Sequence, residues 1–230
     1  MTNPVAKNLH IYFLLDRSGS MASMASDVVG GFNSFLAAQK ADGPDAVMTL
    51  VQFDSEDSHE VLADAAALAD VSKLDASTFL PRGGTPLYDA IGHLAADATI
   101  RSEMREAEGS TAEDILFVIF TDGEENQSVE YTRQKVFELI SRKEEAGWTF
   151  VFMGANQDVY AETNHIGIKA GNAQAFRADR MGSAMAFDSV NKAVLSRRGK
   201  LRSHEAIDNS DFFEGEKDAE KDLNERSGSK

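Results

Sequence analysis

The chain has 230 residues, with 23 Lys and Arg against 38 Asp and Glu, and its formal net charge at pH 7 is -15. This charge argues against a nucleic-acid partner, because the phosphate backbone of nucleic acid would be repelled. The absence of Cys excludes disulfides and thiol catalysis and is typical of a protein kept in a reducing cytoplasm.

Neither a membrane span nor an export signal is expected from the apolar segments. None of them reaches the roughly 18 to 20 apolar residues that a bilayer span needs. The first apolar stretch, residues 11–15, is too short for a signal-peptide core and runs directly into Asp16. We therefore expect a cytoplasmic protein.

The first predicted strand, residues 10–15, is followed directly by a polar segment that contains Asp16, Ser18 and Ser20. In an extended chain, side chains two residues apart point the same way, so these three oxygen-bearing groups can converge on one cation. Read alone, the segment can equally be a polar turn, since Asp, Ser and Gly are common turn formers.

The next elements lead to a second polar position. A helix is predicted over residues 24–40, a strand over 46–53, a short hairpin partner over 59–62 and a helix over 86–105. Thr85 lies just before this last helix. Read alone, Thr85 would be the helix N-cap, with Pro86 in the first helical position.

The most apolar strand, residues 115–120, leads to a third polar position at Asp122. Read alone, Thr-Asp-Gly-Glu-Glu-Asn is a turn followed by acidic residues that favour the start of a helix. The remaining predicted elements are helices over 129–145, 157–164 and 180–197, a strand over 148–153 and a short strand near 166–169.

This alternation predicts an α/β domain over residues 8–200, built as a doubly wound, mainly parallel six-stranded sheet flanked by helices. Such sheets bind ligands at the carboxyl ends of their strands, where the winding direction switches. Residues 201–230 are acidic and have little apolar surface, so we expect a disordered tail. The alternative is that the Phe pair at 212–213 docks as an aromatic anchor.

The three polar positions together predict one metal site. Hydroxyl and carboxylate oxygens are hard ligands that suit Mg²⁺, with Mn²⁺ or Ca²⁺ as alternatives, whereas the usual zinc site needs thiolates or several imidazoles. Mg²⁺ prefers about six ligands, so water or an oxygen from another molecule must complete the shell. A carboxylate from a partner fits that position.

The combination of Asp-x-Ser-x-Ser, a later Gly-Gly-Thr before a helix and a Thr-Asp-Gly after a core strand resembles the von Willebrand factor type A domain with its metal-ion-dependent adhesion site. The segments GGTPLYDAIG, FTDGEEN and MGANQD are similar to those of stand-alone bacterial and phage members. The resemblance implies a Rossmann-like fold in which the strands before Asp16 and Asp122 are neighbours. It also implies five metal ligands: Asp16, Ser18, Ser20, Thr85 and Asp122.

A rim is expected around such a site. Its predicted members are Arg17, Met21, Arg82, Tyr88, Glu124 and Asn126. Arg82 is the best candidate to contact an acidic group of a partner, because a guanidinium matches the geometry of a carboxylate.

Three functions remain open from the sequence. The first is a metal-dependent protein-binding module, without enzyme activity, that accepts an Asp or Glu from a partner; the resemblance adds service as an adaptor or scaffold. The second is a Mg²⁺-dependent phosphohydrolase with Asp16 as nucleophile, although such sites usually have another acid two residues later, where this chain has Ser18. The third is a metal that only stabilises the loops.

Overall fold

A computed structural model of the chain describes residues 8–155 and 159–227, and the strands within these ranges form one six-stranded sheet. The strands are β1 (Leu9–Asp16), β2 (Ala46–Phe53), β3 (Glu60–Ala67), β4 (Asp114–Thr121), β5 (Thr149–Ala155) and β6 (Ala173–Phe176). Their order across the sheet is β3-β2-β1-β4-β5-β6, and only β3 runs antiparallel to its neighbour.

Helices cover both faces of the sheet. They are α1 (Ala25–Asp42), α2 (Leu87–Ala107), α3 (Arg133–Glu145), α4 (Val159–Ile166), α5 (Arg180–Ser203) and α6 (Asp218–Ser227). The apolar residues of α1 and α5 pack on one face, and those of α2, α3 and α4 pack on the other. In the described ranges, no helix combines the length and the apolar character that crossing a membrane requires.

The apolar strands explain why helices cover the sheet on both faces. All eight residues of β1 are buried, and successive side chains of a strand point to opposite faces. Phe13 contacts Phe32 and Phe187 on the α1 and α5 side, whereas Tyr12 stacks on Phe117 on the other side. A continuous apolar strand therefore supplies both layers of the core.

The switch point of the sheet lies between β1 and β4. The chain passes from β1 to β2 on one side, while β4 pairs with the opposite edge of β1, in parallel. The carboxyl ends of β1 and β4 are thus adjacent, as the family resemblance implied. The predicted fold class is confirmed.

Most predicted elements are present, and one is misplaced. The predicted hairpin partner is β3, which extends further than 59–62. The predicted strand near 166–169 is wrong: this segment ends α4, because Gly167 has a φ of +87° and the flanking isoleucines are buried in the core. The last strand, β6, comes later and is shorter than its neighbours. The first two residues of the predicted helix over 157–164 lie outside the described residues. From Val159 onward, the prediction corresponds to α4.

The C-terminal segment differs from the predicted disordered tail. Helix α5 runs past the predicted boundary at residue 200 and ends at Ser203, where His204 takes a left-handed conformation with φ +56°. Phe212 and Phe213 are buried in the core beside α5, and α6 packs against α5 and β6. Both Phe side chains therefore contribute to the core, as in the anchor alternative.

Candidate metal site

The structure brings four of the five predicted oxygens together across the ends of β1 and β4. Ser18 Oγ lies 3.0 Å from Ser20 Oγ, and Ser20 Oγ donates a hydrogen bond of 2.7 Å to Asp122 Oδ1. Asp16, the last residue of β1, is fully buried. Its carboxylate accepts a hydrogen bond of 2.6 Å from the Ser18 backbone N–H. Residues 102 positions apart in sequence therefore share one cluster.

Thr85 reaches the same cluster through the space beside Gly123. A Cβ placed on Gly123 would lie 3.0 Å from Thr85 Oγ1 and 3.6 Å from Ser20 Oγ. Both hydroxyls thus face the same small volume, and only a residue without a side chain leaves it open. This glycine is the last part of the Thr-Asp-Gly segment after β4.

Both carboxylates of the cluster have raised pKa values. Burial raises its pKa to about 6, although the hydrogen bonds from the Thr121 hydroxyl and from the Ser18 backbone act in the opposite direction. Burial also raises the pKa of Asp122, against the hydrogen bond from Ser20. Hydrogen bonds offset only part of the effect of burial on these two carboxylates, so a positively charged ligand beside them is favourable.

The loop that carries Thr85 is attached to the loop that carries Ser18 by backbone hydrogen bonds. The Gly19 N–H donates to Gly83 O at 3.0 Å, and the Arg82 N–H donates to Arg17 O at 2.9 Å. Gly83 has a φ of +63°, a left-handed conformation that favours glycine. The Gly-Gly step therefore serves the close approach of the two loops.

Helix capping does not account for Thr85. Helix α2 begins at Leu87, and its N-cap, Pro86, has no side-chain cap hydrogen bond. The first free N–H groups of α2 are instead bound by the loop after β4: Tyr88 N donates to Glu125 Oε2 at 2.9 Å, and Asp89 N donates to Ser128 Oγ at 3.1 Å. The hydroxyl of Thr85 is thus left for another role.

The loop after β4 also holds the Thr85 backbone. Thr85 N donates to Asn126 Oδ1 at 2.9 Å, and Asn126 N donates back to Thr85 O at 3.1 Å. In return, the Asp89 carboxylate accepts the backbone N–H groups of residues 129–131. These bonds explain why α3 begins at Arg133, later than the predicted residue 129.

Two polar residues near the site were missed from the sequence. Thr121, the last residue of β4, donates its hydroxyl to Asp16 Oδ2 at 2.5 Å. Asp54, which follows β2, is fully buried and accepts hydrogen bonds from both Arg17 and Arg82. The signal for Asp54 was its place directly after the predicted strand 46–53, as Asp16 directly follows the predicted strand 10–15.

Two members of the predicted rim are buried, and the prediction is wrong for them. Arg17 and Met21 are 4% and 0% exposed, so neither side chain is available to a partner. They are buried because Arg17 binds Asp54 and because Met21, in the short helix Gly19–Met24, packs in the core. Arg82, Glu124 and Asn126 are exposed, and Tyr88 is half-buried with its hydroxyl donated to Glu162 at 3.1 Å.

The residues fit a hard divalent cation. Three hydroxyls and two carboxylates supply only oxygen donors, and Gly123 keeps the space between them open. Within the described ranges, no group of three or more His, Cys, Asp or Glu side chains is placed to hold a metal. The predicted ligand set has only two carboxylates, and its other three members are hydroxyls, so it is not a group of this kind.

Comparison with solved structures shows the same fold in other proteins. The chain is similar to the pilus adhesin SpaC from Lactobacillus rhamnosus GG, with a TM-score of 0.63 and 15% identity over 85% of this chain and 31% of that one. It is similar to the proximal thread matrix protein 1 from the mussel byssus with a zinc-occupied MIDAS motif, with a TM-score of 0.57 and 16% identity over 79% and 46%.

A third structure is the manganese-loaded TRAP protein of Plasmodium vivax, with a TM-score of 0.52 and 15% identity over 79% of this chain and 72% of that one. The chain spans less than half of the adhesin and of the mussel protein. No curated protein sequence matches it significantly. The family model of the von Willebrand factor type A domain matches residues 10–191. The chain therefore belongs to the von Willebrand factor type A domain family.

Proposed function

We propose that the chain is a divalent-metal-dependent protein-binding module that serves as an adaptor or scaffold. A bound Mg²⁺, or Mn²⁺ or Ca²⁺ in its place, accepts an Asp or Glu side chain from a partner protein. The proposed metal ligands, directly or through water, are Asp16, Ser18, Ser20, Thr85 and Asp122. The observation that carries the proposal is the convergence of hydroxyls from two distant loops on the open space beside Gly123, next to two carboxylates.

The ligand chemistry supports an acidic partner group. Two carboxylates can at most balance the two positive charges of the ion, and the three hydroxyls add no negative charge. Five ligands also leave one of about six coordination positions open, so the ion keeps an affinity for an additional anionic oxygen. When bound, the ion supplies this open coordination position. The residues of the chain orient the ligands: Thr121 and the Ser18 backbone hold the Asp16 carboxylate, and Asn126 holds the backbone of Thr85.

Arg82 is proposed as the second contact for the partner. Its Nε is bound to Asp54 at 3.0 Å, which fixes the guanidinium, while 41% of the side chain stays exposed. The net charge of -15 repels an approaching acidic group, so a local positive charge from the ion and from Arg82 is needed where that group lands. Arg82→Ala should weaken partner binding, and unchanged partner affinity in a titration would remove Arg82 from the proposal.

The phosphohydrolase alternative is disfavoured by the environment of Asp16. Both of its carboxylate oxygens accept hydrogen bonds, from Ser18 N and from the Thr121 hydroxyl, and its side chain has no exposed surface for an in-line attack on phosphorus. Position 18 is a serine, which gives no general acid there. Turnover of a phosphoester that is lost in Asp16→Asn would restore this alternative.

The proposal also includes a cytoplasmic setting and a bacterial or phage adaptor role. The first is supported by the absence of Cys and the second by the sequence resemblance. A nucleic-acid or membrane partner is not part of the proposal.

Affinity mass spectrometry tests the proposal. Wild type and the double variant Asp16→Ala with Asp122→Ala are used as baits, each with Mg²⁺ and with EDTA. We expect a set of proteins recovered only by the wild type with Mg²⁺. Equal recovery in all four experiments, together with a melting temperature that rises with Mg²⁺ only in the wild type, would mean that the metal stabilises the loops without binding a partner.

A further inference from the structure

We infer that Asp54, which is not among the proposed metal ligands, is a positioning residue for the metal site. Its carboxylate fixes the two loops that carry Ser18 and Thr85 and thereby sets the affinity of the site for a divalent cation. This inference rests on the proposed function, because it assumes that a cation binds there.

Asp54 lies at the end of the strand next to the site. It follows Phe53, whose register partner on β1 is Asp16, and the Phe53 carbonyl accepts a hydrogen bond of 2.9 Å from the Arg17 N–H. The Asp54 side chain is completely buried. One carboxylate oxygen, Oδ1, accepts the backbone N–H groups of Glu56 at 2.7 Å and Asp57 at 3.1 Å, which fixes the turn in which Asp54 sits.

The other oxygen, Oδ2, binds the first loop through Arg17. Arg17 Nε donates to it at 2.8 Å, and Nη2 lies 2.6 Å from it. Arg17 stands between Asp16 and Ser18 in sequence, so its orientation decides where the backbone on both sides of it runs. Because Arg17 also binds Gln52 and Glu60, it has no freedom to turn outward.

The same oxygen binds the second loop through Arg82, whose Nε donates to it at 3.0 Å. The neighbouring backbone repeats the connection: Ser55 N donates to Gly84 O at 3.1 Å, and Gly84 N donates to Ser55 Oγ at 2.8 Å. Gly84 directly precedes Thr85. One buried oxygen atom of Asp54 therefore joins the loops of two ligands that are 67 positions apart in the sequence.

The charge balance makes this carboxylate hard to replace. Burial raises the pKa of Asp54, but the hydrogen bonds from the Glu56 backbone and from Arg17 and Arg82 outweigh burial, and the net pKa is lowered. Loss of the carboxylate leaves the buried Arg17 with only Gln52 and the partly exposed Glu60 as partners, which is unfavourable. The loops then move to relieve it, and the ligands move with them.

Two substitutions separate positioning from simple electrostatics. Asp54→Asn removes a negative charge, so it weakens cation binding under either explanation. Arg82→Gln removes a positive charge near the site: an electrostatic effect alone would tighten cation binding, whereas loss of the link to Asp54 weakens it. Glu113→Gln is the matched control, because Glu113 is also a buried carboxylate bound by two arginines but precedes β4, at the opposite end of the strands.

The experiment is a calorimetric titration of Mn²⁺ into the full chain, with each variant held well below its melting temperature. We expect at least tenfold weaker binding in Asp54→Asn, in line with the effect of residues that orient metal ligands, a few-fold weaker binding in Arg82→Gln, and wild-type affinity in Glu113→Gln. If Asp54→Asn does not fold, Arg82→Gln decides alone.

The failures can be told apart. Unchanged or tighter Mn²⁺ binding in Arg82→Gln, with a wild type that binds Mn²⁺, overturns the role of Asp54 and leaves the proposed function standing. A wild type that binds no Mn²⁺ overturns the proposed metal site and this inference with it. Equal weakening in Glu113→Gln would show that loss of any buried carboxylate loosens the site, which also overturns the inference.

Discussion

The Thr121 hydroxyl donates a hydrogen bond of 2.5 Å to Asp16 Oδ2, and this bond joins the carboxyl ends of β1 and β4 at the switch point of the sheet. It is buried and spans 105 positions of the sequence. The bond orients the carboxylate so that its other oxygen meets the Ser18 backbone N–H. Thr121, which is not among the predicted ligands, therefore helps to orient one of them.

Removal of this hydroxyl should destabilise the protein. Thr121→Val keeps the shape but removes a hydrogen bond to a charged group, which costs about 2 kcal/mol of the free energy of unfolding. Thr149→Val is the control, because Thr149 is buried in β5 and its hydroxyl has no partner in the described part of the structure. Urea unfolding should show no loss of stability for the control, because its hydroxyl makes no hydrogen bond among the described residues that could be lost. Equal losses in both variants would contradict the assigned role of Thr121.

The space beside Gly123 gives a second prediction. Gly123→Ala places a methyl group 3.0 Å from Thr85 Oγ1 and 3.6 Å from Ser20 Oγ, between two of the proposed ligands, so Mg²⁺ affinity should fall at least tenfold while the fold is kept. Gly30→Ala is the control, since a Cβ there has no neighbour within 4 Å. This control should stabilise α1 by about 0.5–1 kcal/mol and leave Mg²⁺ binding unchanged. Calorimetry measures the Mg²⁺ affinity, and unfolding followed by circular dichroism measures the stability.

The raised pKa of Asp16 predicts a pH dependence with a definite sign. Its pKa is about 6 in the folded protein and 3.8 as the reference value, so between these pH values the metal-free folded state keeps a proton that the unfolded state releases. Metal-free stability should therefore fall as pH rises from 4 to 6. The total loss is about 3 kcal/mol for a shift of this size.

Urea unfolding in EDTA at several pH values, compared with Asp16→Asn, measures this contribution. The variant cannot titrate at this position, so its stability relative to the wild type should increase across the same pH range. With Mg²⁺ present, the ion competes with the proton, and Mg²⁺ affinity should fall as pH drops below about 6. A stability difference between wild type and variant that does not vary with pH would contradict the raised pKa.

The C-terminal anchor gives a prediction that is independent of the metal. Phe213 is 2% exposed and packs in the core beside α5, so Phe213→Ala should lower the free energy of unfolding by about 3 kcal/mol. Phe137 is 43% exposed on α3, and Phe137→Ala should cost less than about 1 kcal/mol. If thermal unfolding shows the same small change in both variants, the segment after residue 203 does not contribute to the core.

The sheet was predictable wherever a strand is apolar on both faces. β1, β2, β4 and β5 lie where their mainly apolar runs predicted them, because both faces of these strands are buried under helices. β6 was misplaced because it has only four residues, Ala-Gln-Ala-Phe, whose pattern is weaker than that of the buried isoleucines at 166 and 168. Short edge strands depend on their neighbours more than on their own sequence.

At the site, sequence patterns indicated the side chains that follow strands but not the ones that hold them. Arg17 and Arg82 were predicted as rim residues, but the buried Asp54 that binds both of them was not predicted. The three residues come from three separate loops, and no local spacing connects them. In the C-terminal segment, the acidic composition favoured a disordered tail, whereas the Phe pair at 212–213, which the sequence offered as an alternative anchor, is buried.

The most direct test of the metal site is a calorimetric titration of Mg²⁺ into the wild type and into the double variant Asp16→Ala with Asp122→Ala. We expect saturable binding of one Mg²⁺ per chain in the wild type and no saturable binding in a double variant that remains folded. Absence of saturable binding in the wild type, or the same affinity in both proteins, would contradict the proposed metal site.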